Sequence, residues 1–103
     1  MREVTNIDTF KEIIHTHGVV FLDVYATWCG PCKKIAPEFE ALSRQYSSSL
    51  FVKTNCAESQ DIAHSLSISS IPTFVVFVNG EEAGRISGGN TEQLRNFVAE
   101  HAL

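Results

Sequence analysis

The sequence is most constrained by a CxxC motif, Trp28-Cys29-Gly30-Pro31-Cys32, that directly follows an apolar run from Val19 to Ala26. A nearly continuous apolar run is typical of a strand that is covered on both faces. A helical pattern begins near Pro31, whose missing N–H suits the first turn of a helix. The two cysteines therefore lie where a buried strand passes into a helix, and Cys29 lies where unpaired backbone N–H groups favour a thiolate.

The composition indicates an ordinary globular chain with a small acidic excess. We expect its 103 residues to form one domain over residues 1–103. The 8 basic and 12 acidic residues give a net charge of −4, without the basic stripe of a nucleic-acid-binding protein. No apolar run approaches the roughly 20 residues of a membrane span, and the first residues lack a signal peptide's hydrophobic segment. These features predict a cytoplasmic protein that binds neither nucleic acid nor membrane.

The cysteine content favours redox chemistry over a structural role. Three cysteines are too few, and odd in number, for the disulfide framework of a small secreted domain. Half a zinc site is the competing interpretation, but zinc usually takes four ligands. Cys56 and the four histidines offer no ligand pair with suitable spacing, so we expect no metal site.

The remaining pattern predicts alternating helices and strands. Helices are expected over residues 5–17, 31–46 and 59–67 and after a cap at Asn90, and strands over residues 19–26, 50–55, 73–78 and 82–87. Asn79-Gly80 predicts a tight hairpin between the last two strands. The first half of this order requires a parallel crossover, so we expect a mixed α/β sheet with helices on both faces.

Several residues form a specific combination with the CxxC motif. They are Ala26 and Thr27 before it, Asp23 in the preceding strand, Pro37 in the following helix, and the segment Ile71-Pro72-Thr73-Phe74. With this combination the chain resembles the thioredoxin family over essentially its whole length, and Lys53, Gly80 and Gly88 also match. The resemblance implies the thioredoxin fold, a mixed five-stranded sheet flanked by four helices.

The resemblance also implies an activity. Members of the family are protein-disulfide reductases, thiol-disulfide oxidoreductases that act as electron donors in cell redox homeostasis. In this chain, Cys29 would attack a disulfide of a client protein and Cys32 would resolve the mixed disulfide. The family needs no bound cofactor, since NADPH contributes indirectly through thioredoxin reductase or an equivalent reductant. The family also has a cis peptide bond before the residue that matches Pro72, which the sequence alone does not show.

An apolar contact surface for clients is a further implication of the resemblance. It would consist of residues from three separate segments, namely Trp28, Gly30, Pro31, Ile71, Pro72, Gly88 and Gly89.

Asp23 and Lys53 are the charged candidates for the site. Burial raises the pKa of a carboxyl group toward neutrality, where Asp23 can take a proton from Cys32 and return it. The alternative is a buried carboxyl that is merely tolerated. Lys53 is expected either to pair with Asp23 and limit this pKa shift or to serve solubility.

Two other functions remain open at this point. The first is a disulfide oxidase or isomerase, although proteins of that kind usually carry His where this chain has Pro31. The second is a non-enzymatic module that holds partners on the apolar surface. Cys56 lies outside the motif and is either a structural thiol or a site of regulatory oxidation.

Overall fold

A five-stranded sheet forms the centre of the structure, with helices on both of its faces. The computed structural model describes all 103 residues. In chain order, the elements are β1 (Arg2–Glu3), α1 (Ile7–Thr16), β2 (Val19–Tyr25), α2 (Gly30–Gln45), β3 (Leu50–Asn55), α3 (Gln60–Ser65), β4 (Thr73–Val78), β5 (Glu81–Ser87) and α4 (Thr91–His101). The predicted mixed sheet with four helices is therefore confirmed.

The strand order across the sheet is β1-β3-β2-β4-β5, which places β2 at the centre. Strands β1, β3 and β2 are mutually parallel, whereas β4 runs antiparallel to β2 and β5 antiparallel to β4. The hairpin between β4 and β5 turns at Asn79 and Gly80, whose φ angles are 51° and 86°. Both angles are positive, as the predicted turn requires.

The side chains of β2 alternate between two apolar clusters. Val20, Leu22 and Val24 belong to a cluster that includes residues of α1 and α3. Val19 and Phe21 belong to a second cluster that includes residues of α2 and α4. Each fully buried side chain of this size contributes roughly 1.5–3 kcal/mol through the hydrophobic effect. Burial on both faces explains the continuous apolar run in the sequence.

Side-chain caps begin the first and last helices. The Asn6 side chain accepts a hydrogen bond from the Thr9 backbone N–H at 2.9 Å, so α1 begins at Ile7 and not at residue 5. The Asn90 side chain accepts one from the Gln93 N–H at 2.8 Å, which confirms the predicted cap of α4. These bonds satisfy backbone donors that have no partner within the helix.

The residue pattern missed one strand and made α3 too long. Strand β1 contains only two exposed residues, which is too short for any alternation to be visible. Helix α3 ends at Ser65, because Ser67 adopts a left-handed conformation with φ of 54°. Other boundaries differ from the predictions by a few residues at most. No helix combines the length and the apolar character that crossing a membrane would require.

Candidate active site

The CxxC motif occupies the first turn of α2, where the sequence placed it. Cys29 is the N-cap residue, and its Sγ accepts a hydrogen bond from the Cys32 backbone N–H at 3.2 Å. Pro31 lies in the first helical turn. Cys29 and Cys32 form a disulfide bond. The pair is therefore in its oxidised form at a helix N-terminus, where a thiolate released by reduction is stabilised.

Burial alone does not distinguish the two cysteines. Cys29 is 5% exposed and Cys32 is 3% exposed. Both cysteines are therefore almost fully buried in the disulfide form. The surroundings differ, however, because Cys32 lines a cavity of about 220 Å³ and Cys29 does not.

This cavity brings the predicted charged residues to the disulfide. Its walls include Asp23 from β2, Lys53 from β3 and Cys32 from α2, together with Tyr25, Ala26, Thr27, Lys33 and Ala36. Asp23 and Lys53 are directly opposite each other in the parallel pair β2–β3. The strand register therefore accounts for their meeting beside Cys32.

Asp23 is a buried carboxyl group without a hydrogen-bond partner on one oxygen. The residue is 5% exposed, and its Oδ1 has no partner. Burial raises the pKa of Asp23 to about 7, while the positive charge of Lys53 lowers it and the negative charge of Glu3 raises it. A carboxyl group with this pKa can both accept and return a proton near neutral pH.

Lys53 does not form an ion pair with Asp23. The two ion pairs of the structure join Arg85 to Glu82 and Arg95 to Glu38. The Lys53 Nζ lies 5.5 Å from the centroid of the Tyr25 ring. Lys53 therefore acts on Asp23 only at longer range, which leaves the pKa of Asp23 raised.

Glu3 is a residue of this region that the sequence reasoning missed. Both of its carboxylate oxygens accept the hydroxyl proton of Tyr25 at 2.7 Å, and Oε2 also accepts a hydrogen bond from the Asn55 N–H at 3.1 Å. Burial and the hydrogen bond to Glu3 raise the pKa of the Tyr25 hydroxyl, so that it remains a donor. Only the pairing of β1 with β3 shows that Glu3 lies near the site, and β1 carried no visible signal in the sequence.

The residues of the predicted contact surface come from three segments, and hydrogen bonds and close contacts join these segments. The Ile71–Pro72 peptide bond is cis, and the Pro72 carbonyl accepts a hydrogen bond from the Gly88 N–H at 2.9 Å. Gly88 has a φ of 102°, a conformation that favours glycine. A Cβ atom on Gly89 would lie 3.3 Å from the Cβ of Pro31, so this loop closely approaches the start of α2.

Ile71 packs against the cluster of Ala26, Cys29 and Cys32, and Trp28 directly precedes Cys29. Trp28 is 73% exposed. Together with Ile71 it lines a groove of about 320 Å³, whose other walls are Cys56, Ala63, Ile68, Ser69 and Ser70. The Cys56 thiol is free and half-buried, and it packs against the cluster of Ala26, Cys29 and Cys32. Gly30 is exposed, with no other group near the position of a Cβ atom.

Comparison with known proteins agrees with this geometry. Residues 2–100 match the family model described as Thioredoxin. The chain belongs to the thioredoxin family. Thioredoxin of Callithrix jacchus is 36% identical over 102 residues, which cover 97% of each chain. Thioredoxin-1 of Saccharomyces cerevisiae is 39% identical over 93 residues, which cover 90% of each chain.

Solved thioredoxin structures are similar over the same length. A structure of Plasmodium falciparum thioredoxin superposes with a TM-score of 0.97 at 34% identity, covering 99% of this chain and 100% of that chain. As a thioredoxin-family member, the protein is a thiol-disulfide oxidoreductase that reduces disulfides by dithiol–disulfide exchange. It acts on disulfide-containing substrates through its own Cys29–Cys32 pair and needs no cofactor.

Proposed function

We propose that Cys29 is the attacking cysteine and Cys32 the resolving cysteine in the reduction of client proteins. The Cys29 thiolate attacks one sulfur of a client disulfide, which forms a mixed disulfide and releases the other client sulfur as a thiolate. Cys32 then gives its proton to Asp23 and attacks the Cys29 sulfur. The Cys29–Cys32 disulfide forms, and the second client thiolate leaves and takes up a proton. Two electrons pass from the cysteine pair to the client.

The observation that carries this assignment is the cavity that Cys32 shares with Asp23. A resolving thiol must lose a proton after the first step, because the thiolate is the nucleophile. Asp23 provides an acceptor with a pKa of about 7 on the Cys32 side only. The helix start at Cys29 favours the thiolate that begins the reaction.

Clients would bind on the surface formed by Trp28, Gly30, Pro31, Ile71, Pro72, Gly88 and Gly89. The high exposure of Trp28 and the groove between Trp28 and Ile71 support this proposal. One related structure, 34% identical to this chain, concerns the resolution of a yeast mitochondrial 1-Cys peroxiredoxin by glutathione and thioredoxin systems. An oxidised peroxiredoxin is therefore a reasonable client class to test.

The upstream donor and the compartment are part of the same proposal. We propose that a thioredoxin reductase drawing on NADPH, or an equivalent dithiol reductant, returns the Cys29–Cys32 disulfide to the dithiol. The cytoplasm is the proposed site of action, since a reducing compartment keeps such a pair in the donor form. In this role the protein would carry electrons for cell redox homeostasis.

Trapping of the mixed disulfide tests the two cysteine roles. The Cys32→Ser variant should accumulate a covalent adduct between Cys29 and a disulfide-containing protein such as insulin, because the resolving step is absent. The adduct is measured by non-reducing electrophoresis and mass spectrometry. The Cys29→Ser variant is the matched control and should form no such adduct. An adduct on Cys32 in that control, with none on Cys29, would reverse the assignment.

The reduction potential of the Cys29–Cys32 pair separates this function from an oxidase or isomerase. Equilibration against dithiol redox buffers should give a potential more negative than that of the glutathione couple, because a donor must hold its electrons weakly. A markedly more oxidising value would contradict the reductase proposal. Full biological activity of the Cys29→Ser, Cys32→Ser double variant would instead indicate a non-enzymatic binding module.

The proton step has its own test. The Asp23→Asn variant should resolve mixed disulfides more slowly near neutral pH, because the proton acceptor for Cys32 is lost. Stopped-flow measurement between about pH 6 and 9 follows this step through the tryptophan fluorescence of Trp28. Rates equal to those of the unmodified protein across this range would remove Asp23 from the mechanism.

A further inference from the structure

Three charged residues lie in one row across the parallel strands of the sheet. Glu3 of β1 is in register with Lys53 of β3, and Lys53 is in register with Asp23 of β2. Residues in register on neighbouring strands lie about 4.8 Å apart and project from the same face of the sheet. The row therefore places one ammonium group between two carboxyl groups, the outer one exposed and the inner one buried.

The outer end of the row is firmly held. The Glu3 carboxylate accepts hydrogen bonds from the Tyr25 hydroxyl and from the Asn55 backbone N–H. The ring of Tyr25 in turn lies beneath the Lys53 ammonium, 5.5 Å from Nζ to the ring centroid. A cation over a tyrosine ring is attracted by the electrons of the ring face. Glu3, Tyr25 and Lys53 therefore form a connected group, which we call the outer clamp.

The inner end of the row is left without a partner. Asp23 has no ion pair, and its Oδ1 has no hydrogen bond, although Lys53 is its direct neighbour in the sheet. The other titratable groups around Asp23 are Lys33 and Cys32 of α2 and the Tyr25 hydroxyl of its own strand. The negative charge of Glu3 favours the protonated form of Asp23, in opposition to Lys53.

We infer that Glu3 is a positioning residue for the proton-transfer step, because the outer clamp holds Lys53 over Tyr25 and prevents an ion pair with Asp23. Glu3 belongs neither to the lining of the cavity beside Cys32 nor to the proposed client surface, and it acts through Lys53 and through its own charge. The inference rests on the proposed role of Asp23 as proton acceptor. Without Glu3, Lys53 is free to approach Asp23, and the carboxyl becomes a weaker base.

The Glu3→Gln variant tests this directly. Glutamine keeps the length of the side chain and can still accept the Tyr25 hydrogen bond, but it lacks the negative charge that attracts the Lys53 ammonium toward the outer end of the row. The Asp23 titration midpoint, followed by the carboxyl carbon signal in NMR, should move down by roughly half a pH unit. The acid limb of the resolution rate should move in the same direction. The matched control, Glu12→Gln, removes an exposed charge from α1 and should leave both unchanged.

A second background shows whether Glu3 acts through Lys53. The Lys53→Met variant has no ammonium group that could move between Glu3 and Asp23. In this background the further change Glu3→Gln should move the Asp23 midpoint by less than half of the shift that it causes when Lys53 is present. An unchanged midpoint in Glu3→Gln would overturn the inference, and so would a shift of equal size in both backgrounds. The proposed function fails by a different result, namely an unaltered pH profile in Asp23→Asn, and the NMR midpoint requires no activity. The two failures are therefore distinguishable.

Discussion

The two faces of strand β2 differ in composition, because one is apolar throughout and the other includes a buried carboxyl group. Val20, Leu22 and Val24 project toward α1 and α3, and all three are fully buried among apolar side chains. On the face toward α2 and α4, Val19 and Phe21 are also buried in an apolar cluster. The next residue on that face is Asp23, which is just as inaccessible but carries a carboxyl group.

Within the seven residues of β2, one face therefore contributes only to stability, whereas the other also carries the carboxyl group that we propose takes part in the chemistry. The face toward α1 and α3 gains free energy from burial along its whole length. The other face loses free energy at Asp23, since a buried carboxylate without a partner is less stable than one in water. Because the loss occurs beside the first turn of α2, the destabilised group lies next to Cys32. Variants at Asp23, at Leu22 and at two helix caps examine the contrast between these faces.

The largest effect is expected at Asp23. Its pKa is raised from 3.8 to about 7, so its protonated form favours the folded state. Below pH 3.8 Asp23 is protonated in both states and folding carries no penalty from its ionisation. As the pH rises to 7, the unfolded state ionises first, and the free energy of unfolding falls by about 4 kcal/mol. The Asp23→Asn variant should therefore be more stable than the unmodified protein above pH 7, as measured by urea unfolding of the oxidised forms.

A matched variant controls for loss of any carboxylate. Glu100→Gln removes an exposed charge from α4 and should leave the pH dependence of stability unchanged. If Asp23→Asn is instead destabilised at pH 8, the carboxylate has a favourable partner, and the contrast between the faces does not hold.

A change on the opposite face should have a similar size but a different character. Leu22→Ala leaves a cavity in the cluster of α1 and α3, which costs about 3 kcal/mol. The loss should be equal at pH 5 and pH 8, because no titratable group is affected. Urea unfolding at the two pH values measures this. A loss that differed between them would show that the two faces are coupled through β2.

The smallest effects are expected at the helix caps, one for each face. Asn6→Ala in α1 and Asn90→Ala in α4 each remove one side-chain hydrogen bond to a backbone N–H and should each cost about 1 kcal/mol. Asn96→Ala, within α4, is the control and should not destabilise, since alanine is the better helix former. Clearly unequal costs at the two caps would mean that the faces also differ in how their helices are anchored.

Sequence patterns predicted most of the fold because they act locally. The apolar run of β2, the hairpin at Asn79-Gly80 and the cap at Asn90 each depend on a few neighbouring residues. Strand β1 depends instead on pairing with β3, about 50 positions away in the sequence, and two exposed residues leave no local trace of that pairing. The cis conformation before Pro72 was an expectation from the family resemblance, since the same dipeptide also occurs in the trans form.

The candidate site was likewise predictable where single residues stand out in the sequence, and not where side chains of different strands pack together. Cys29, Cys32 and Asp23 were found because their residue types are unusual in their places: two cysteines at a helix start and a carboxyl in an apolar strand. The position of Lys53 over Tyr25, and not on Asp23, depends on side-chain packing between strands. The part played by Glu3 depends on the same packing, which no single stretch of sequence encodes.

Val4 gives the short strand β1 a significance beyond its length. Its side chain is completely buried, its N–H donates to the Lys53 carbonyl at 2.8 Å, and its own carbonyl accepts the Thr54 hydroxyl at 2.7 Å. These contacts anchor β1 to β3 at the residue that follows Glu3. The burial and the two hydrogen bonds of Val4, a residue with no ionisable group, oppose local opening of this edge, and each opening would carry Glu3 away from Tyr25. The hydrogen-exchange rate of the Val4 amide would therefore report the local opening equilibrium that removes Glu3 from the electrostatic environment of the redox centre.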